Sequence, residues 1–413
     1  MRVAAAQGAS ELDLERAVGT VLDRRLRPDL SQPIAVALSG GGDSLALLLT
    51  GAEWARRARR SLLVLTIDHR LRSESAGWTQ ACAATAARLD LPFRGLAWEG
   101  EKPATGLPAA ARMARHRLLA EAARDAGARV ILMGHTADDG LEARLMREAG
   151  STTPEPREWT PSPAWPEGRG VFLLRPMLDV RRSAIRTWLA AHGERWIDDP
   201  ANEDAAYARP RARQALALGA TPSAAASPGQ AADLATACRG DIHGGLEIVR
   251  EALRAAPADA LARFVSAACL CAAGTDRPPA RAKVDRLAAR LAGAEPFTAG
   301  LAGARIEADT SRARFRREAG EVARGGLAPL RLQAGEMAVW DGRFEVTPAR
   351  GSVIQAQPGT TSPIAVCDDG GIAALEATPL ALDRLLAACD AVEREPPAPS
   401  DASRPAHAPR RAR

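Results

Sequence analysis

Three short stretches gather residues that could do chemistry, each directly after a run that reads as a strand. The first is Ser39-Gly40-Gly41-Gly42-Asp43-Ser44. Three consecutive glycines let a backbone approach an anion closely and take angles that a side chain forbids. A helix starting there would aim free amides and the positive end of its dipole at a phosphate. Ser39 and Ser44 add hydroxyls. Asp43 is the odd member, because a carboxylate beside phosphate is repelled unless a divalent cation lies between them. The stretch therefore reads as a polyphosphate cradle with a metal carboxylate. It lacks the Gly-Lys-Ser/Thr of a Walker loop, and Leu45 breaks the dinucleotide spacing.

The second stretch is Asp68-His69-Arg70-Leu71-Arg72. Asp68 suits a ribose hydroxyl or an adenine amino group, and an acidic helix cap is its ordinary alternative. The third is Gly134-His135-Thr136-Ala137-Asp138-Asp139-Gly140-Leu141-Glu142. Asp139 and Glu142 are three apart and share one face of a helix. Paired carboxylates beside a nucleotide can share a metal ion or grip an ammonium group. His135 suits a proton acceptor or a phosphate donor. Arg112, Arg115 and Arg117 fall on one helix with His116, either neutralising a phosphate or substrate carboxylate or forming a solvated face. Arg209, Arg211 and Arg213 alternate in a way that suits an RNA backbone or a solvated domain end.

The elements that must position these groups alternate. Strands are predicted at 34–38, 62–67, 92–98, 129–133 and 171–174, and helices at 44–60, 75–89 and 106–126. That rhythm predicts an α/β fold with a doubly wound parallel sheet, which binds ligands at the C-terminal edge of its strands. Residues 1–218 form the expected catalytic domain, with a long loop at 150–170. A linker at 219–230, a helical domain at 231–295, a smaller mixed α+β region at 296–390 and a disordered basic tail at 391–413 complete the expectation.

At 413 residues the chain has room for two or three domains. Only two lysines, Lys102 and Lys283, occur among its 55 basic residues, and the net charge of +5 permits a polyanionic partner. The six cysteines lack paired metal or disulfide spacing, and Cys269 and Cys271 read as buried thiols. No apolar run nears the roughly 20 residues that span a bilayer. A cytoplasmic protein without membrane contact is expected.

Ser-Gly-Gly-x-Asp-Ser after a strand resembles the signature of the PP-loop ATP pyrophosphatases, which cleave ATP between its α- and β-phosphates. Within them, the order of motifs resembles the tRNA(Ile)-lysidine synthases. The likeness rests on residues 39–44, D-H-R-L-R at 68–72, R-M-A-R-H at 112–116 and G-H-T-A-D-D-G-L-E at 134–142. Arg175-Pro176-Met177-Leu178 and the stretch from Asp198 to Arg213 complete it. Gly140 and Ala143 depart from the Gln and Thr of that pattern, Glu148-Ala149 from its glycine-rich turn, and Pro210 from an Asn.

The resemblance implies use of ATP, Mg2+, free L-lysine and an isoleucine tRNA with a CAU anticodon. The wobble cytidine is adenylated, and lysine then displaces AMP at C2 to give lysidine. It implies that Ser39, Gly40, Gly41, Gly42, Asp43, Ser44, Asp68 and His69 hold ATP, with Asp43 on the metal. Asp139, Glu142 and Arg112 would hold lysine and, with Asp43 and His135, form the catalytic set. Arg115, Arg209, Arg211 and Arg213 would contact tRNA. A homodimer is compatible with it. Two rival readings are a tRNA-thiolating PP-loop enzyme, which would need further cysteines, and a tRNA-binding protein with a vestigial ATP site.

Overall fold

Strands covered by helices on both faces have no wet side, so they read as continuous apolar runs rather than alternating ones. The computed structural model shows this in the first of two units, residues 1–226 with 393–398; the second comprises 227–392 with 399–413. It describes residues 3–151, 153–198, 208–222, 231–320 and 327–397. Asp199 to Asp204, 223–230 of the expected linker and 398–413 of the expected tail lie outside the described residues.

The first unit runs α1 (Val3–Arg25), β1 (Ile34–Ala37), α2 (Gly42–Ala58), β2 (Leu62–Asp68), α3 (Ser75–Arg88), β3 (Phe93–Ala97) and α4 (Leu107–Asp125). It continues through β4 (Val130–Leu132), α5 (Ala137–Glu148), β5 (Trp159–Pro161), β6 (Phe172–Leu174), α6 (Arg182–Ala191) and α7 (Ala208–Ala217). Sheet order is β3-β2-β1-β4-β6-β5, parallel except for β5. The α/β doubly wound expectation therefore holds. Ile34, Ala35, Val36, Ile131 and Leu132 are wholly buried at its centre. The chain leaves β1 toward β2 on one side and reaches β4 on the other, so the topological switch point lies between the ends of β1 and β4.

Among the elements that were not expected are α1 and β5. Leu14, Val18, Leu22 and Leu26 recur every four residues, are buried, and seat α1. The segment 150–170 is not loop throughout: Trp159–Pro161 pairs antiparallel with β6, and Trp159 stacks on Phe172 at 4.8 Å. A three-residue strand containing a proline is stable only at a sheet edge, and it gives almost no sequence signal.

The expected tail also needs correction over 391–397. Glu395 is buried in the first unit, where its carboxylate meets the Arg60 guanidinium at 2.6 and 3.0 Å. Its own amide donates to the Arg25 carbonyl, and the Arg27 amide donates to its side chain.

The second unit contains α8 (Ala232–Ala237), β7 (Arg239–Gly240), β8 (Leu246–Val249), α9 (Arg250–Ala255), α10 (Ala258–Ala273), α11 (Arg281–Ala292), β9 (Phe297–Leu301), β10 (Ala304–Ala308) and β11 (Arg312–Arg317). The sheet β7-β8-β11-β10-β9 joins them. The segment 231–295 is thus not purely helical, and its core continues through Phe264 and Phe315 past the expected boundary at 295. Beyond come β12 (Leu330–Leu332), β13 (Ala338–Trp340), β14 (Phe344–Pro348), β15 (Ser352–Ala356), β16 (Pro363–Val366), β17 (Ile372–Ala373), β18 (Leu375–Pro379) and α12 (Ala381–Ala388). They build a four-stranded and a three-stranded sheet around Trp340, Phe344 and Ile354, while α12 returns to the first core. All six cysteines are free and buried.

Candidate active site

The turn after β1 opens into a cleft of about 680 Å3 at the switch point. Gly40 has φ +85°, and a Cβ there would lie 2.6 Å from Ile197 Cδ1, so only glycine fits. The Ile197 amide donates to the Gly40 carbonyl at 2.9 Å and fixes the turn from outside. Ser44 Oγ donates to the Gly41 carbonyl at 2.9 Å and accepts from the Ser39 amide at 3.2 Å. The Ser44 hydroxyl hydrogen therefore closes the loop, and the Ser39 hydroxyl, 3.1 Å away, donates to Ser44 Oγ. Helix α2 begins with Gly41 as N-cap and no side-chain cap, which leaves its first amides facing the cleft.

The loop after β4 approaches this helix start closely. A Cβ on Gly134 would stand 3.0 Å from both Cα and N of Ser44. Gly134→Ala is expected to displace the start of α2 and weaken ATP binding roughly tenfold, about 1.4 kcal/mol. Calorimetric titration with ATP checks this; an unchanged affinity would show that the turn tolerates the shift.

One residue absent from the sequence reading joins the two loops. Arg182 Nε donates to Asp43 Oδ2 at 3.0 Å, its Nη1 donates to Glu142 Oε1 at 3.0 Å, and its Nη2 lies 3.4 Å from Asp139 Oδ2. Asp138 aims it, accepting the Arg182 amide at 2.7 Å at the start of α6. Asp139 accepts from both the amide and the hydroxyl of Thr136, at 2.8 and 2.9 Å, in a capping box at α5. Glu142 has no exposed surface. Arg213 Nε donates to its Oε1 at 2.9 Å, and Arg209 Nε lies 3.4 Å from Oε2. Three guanidinium groups thus surround one buried carboxylate.

The structure brings Ser39, Gly41, Gly42, Asp43, Ser44, His69, Arg115, His135, Asp139, Arg209 and Arg213 to the cleft wall. Asp68 instead accepts the Arg70 amide at 2.7 Å and shapes its own loop. Glu142 stands behind its arginines, while Arg112 and Arg211 are not on the wall. Arg209 and Arg213, expected along an RNA backbone, turn inward to Glu142. Pro210 is accommodated in the first described turn of α7, and Gly140 leaves open space on α5.

Burial pushes the Asp43 carboxyl above its usual range, against the pull of Arg182. Burial acts on Asp139 in the same direction, but Arg209, Arg182 and the hydrogen bond from the Thr136 amide hold it below the usual range. His135 is lowered to about 3 by burial and by Arg175. Arg175 Nε donates to His135 Nδ1 at 3.2 Å. Since arginine only donates, this neutral ring carries its proton on Nε2. His135 is therefore built as a donor.

His116, 3% exposed, is likewise lowered to about 3, by burial and by Arg112. Below pH 6.5 the unfolded chain takes up a proton that the folded chain refuses, so stability is full above that pH and falls as acid is added. The expected slope is about 1.4 kcal/mol per pH unit from this group. Thermal unfolding from pH 7 to 5 measures it, and His116→Gln should flatten the fall.

A cradle of helix-start amides, an adjoining carboxylate and a second loop at the switch point define a PP-loop ATP-using domain, and the PP-loop domain family matches residues 14–218. The chain is 48% identical over 346 residues to the tRNA(Ile)-lysidine synthase of Caulobacter vibrioides, covering 84% of this chain and 81% of that protein. It is 33% identical to that of Brucella anthropi, over 76% and 74% of the two chains, and 43% identical to that of Mesorhizobium japonicum, over 50% and 46%. The chain belongs to the tRNA(Ile)-lysidine synthase family.

The solved U34-tRNA thiolase NcsA of Methanococcus maripaludis is more distant, with a TM-score of 0.42 and 13% identity over 50% of this chain and 72% of its own. Thiolation is not favoured here: Cys82, the cysteine of the first unit, is buried and its thiol is pushed up by that burial. Among the described residues no helix is long and apolar enough to cross a membrane.

Proposed function

We propose that the chain uses ATP to adenylate the wobble cytidine of a CAU-anticodon isoleucine tRNA and then joins free L-lysine to C2, releasing AMP. The observation that carries this reading is the convergence of a polyphosphate cradle and a separate carboxylate cluster on one cleft, with Arg182 spanning both.

In the first step cytidine O2 attacks the α-phosphorus and pyrophosphate leaves. The amides at the start of α2 meet the charge that develops on the leaving group. His135, neutral with its proton on Nε2, donates to a phosphoryl oxygen. Asp43 fits Mg2+, because that ion commonly takes one protein carboxylate and completes its shell with phosphates and water. Bound there, Mg2+ would neutralise charge on the phosphates.

In the second step the lysine ammonium gives its proton to solvent, and the free ε-amine forms the C2–N bond as the C2–O bond to AMP breaks. Asp139 lines the cleft and stays ionised, so it suits an ammonium ligand rather than a proton acceptor. Glu142 acts through Arg182, Arg209 and Arg213, which it holds at the cleft. Contact of Arg115 with the tRNA belongs to the same proposal.

The test supplies α-labelled ATP and tRNA without lysine. Label retained on tRNA, and discharged as AMP when lysine is added, supports the two-step reading. Label that never reaches RNA, with ATP still bound, overturns it.

A further inference from the structure

We propose that Arg182 is a positioning residue that keeps divalent cations off Asp43 until a nucleotide enters the cleft. This rests on the ATP-using reading above and adds a control on the order of loading.

The guanidinium makes three carboxylate contacts of unequal standing. Two of them, to Asp139 and Glu142, reach one carboxylate 7% exposed and another with no exposed surface. The Asp138 carboxylate holds the backbone of the same residue. The third, from Nε to Asp43, reaches into the cleft at the mouth of the phosphate cradle. Arg182 is the one ion-pair partner of Asp43 among the described residues. Arg186 adds only longer-range charge.

A divalent ion approaching Asp43 in the empty cleft meets a carboxylate already neutralised, with a fixed positive charge beside it. Like charges at such separations in a half-buried site repel strongly. A polyphosphate reverses the balance: its oxygens offer the guanidinium a second acceptor and give the ion most of its ligands. The metal then enters with the nucleotide. The Asp139 and Glu142 contacts keep Arg182 in reach throughout, so the exchange moves a hydrogen bond rather than a helix.

Mn2+ serves as the probe, with free ion counted by electron paramagnetic resonance on the full chain without nucleotide or tRNA. Wild type is expected to bind Mn2+ weakly, and Arg182→Gln at least tenfold more tightly. Asp43→Asn in that background should return the affinity to the wild-type level. Arg182→Lys keeps the charge but lacks Nε, so it should raise the affinity severalfold while guarding against a folding defect in the Gln variant. Equal affinities in wild type and both variants would overturn the proposal, as would tight binding that survives Asp43→Asn. Adding α,β-methylene ATP should bring Mn2+ onto wild type. Failure of that arm alone would count against the ATP reading and not against the role of Arg182.

Discussion

Asp43→Ala is expected to abolish tRNA-dependent pyrophosphate release, by about a thousandfold or more, while tRNA affinity changes less than about twofold. The separation follows from position. Asp43 faces the cleft in the first turn of α2, and its carboxylate pairs with Arg182. Removing it takes away the carboxylate proposed to hold a cation and leaves the glycine turn, held by Ser44 and Ile197, in place. Asp43→Asn sharpens the test, since the amide keeps the shape and loses the charge. Rapid-quench measurement of pyrophosphate and filter binding of tRNA read the two properties separately. Equal loss of both would make the residue structural, and near-normal turnover of the Asn variant would remove it from the cation site.

Glu395→Ala is expected to destabilise the first unit by about 3–5 kcal/mol, although it lies far along the chain from the residues it meets. Arg60 and Glu395 side chains are 1% and 0% exposed, and the pair is bidentate. Truncating the acid strands a buried guanidinium, whose remaining partners are the Arg27 and Gln32 carbonyls. The double variant Arg60→Met with Glu395→Leu should cost far less, because no charge is left unpaired. Urea unfolding followed by the tryptophans measures both. If the single and double variants lose the same stability, the segment acts through its backbone contacts and not through the ion pair.

What could be read from sequence divides along physical lines. The glycine turn, Asp43 and Asp139 were legible because their chemistry is local: a cradle and a helix start are written in consecutive residues. The parallel sheet was legible from apolar runs such as 34–37, which are buried on both faces. Arg182 was not, because one arginine among so many carries no signal until Asp138 and the fold aim it at three carboxylates. Glu142 was placed on the right face of α5 but not behind a wall of arginines, since burial depth depends on α6 and α7. Gly134 was visible within its motif, but its reason lies in the approach to Ser44. The buried Glu395 stands in a stretch of Pro, Ala and Arg without periodicity, where a single ion pair leaves no pattern. Helix α1 was not read from the sequence, although Leu14, Val18, Leu22 and Leu26 recur every four residues and are buried in it or directly after it.

The most direct measurement incubates the protein with ATP, Mg2+, labelled L-lysine and CAU-anticodon isoleucine tRNA, beside the same tRNA with its wobble cytidine replaced by uridine. The account predicts that label enters the first tRNA in an ATP-dependent reaction and is absent from the second. Pyrophosphate released with tRNA but no lysine incorporated, or label entering both RNAs alike, would contradict it.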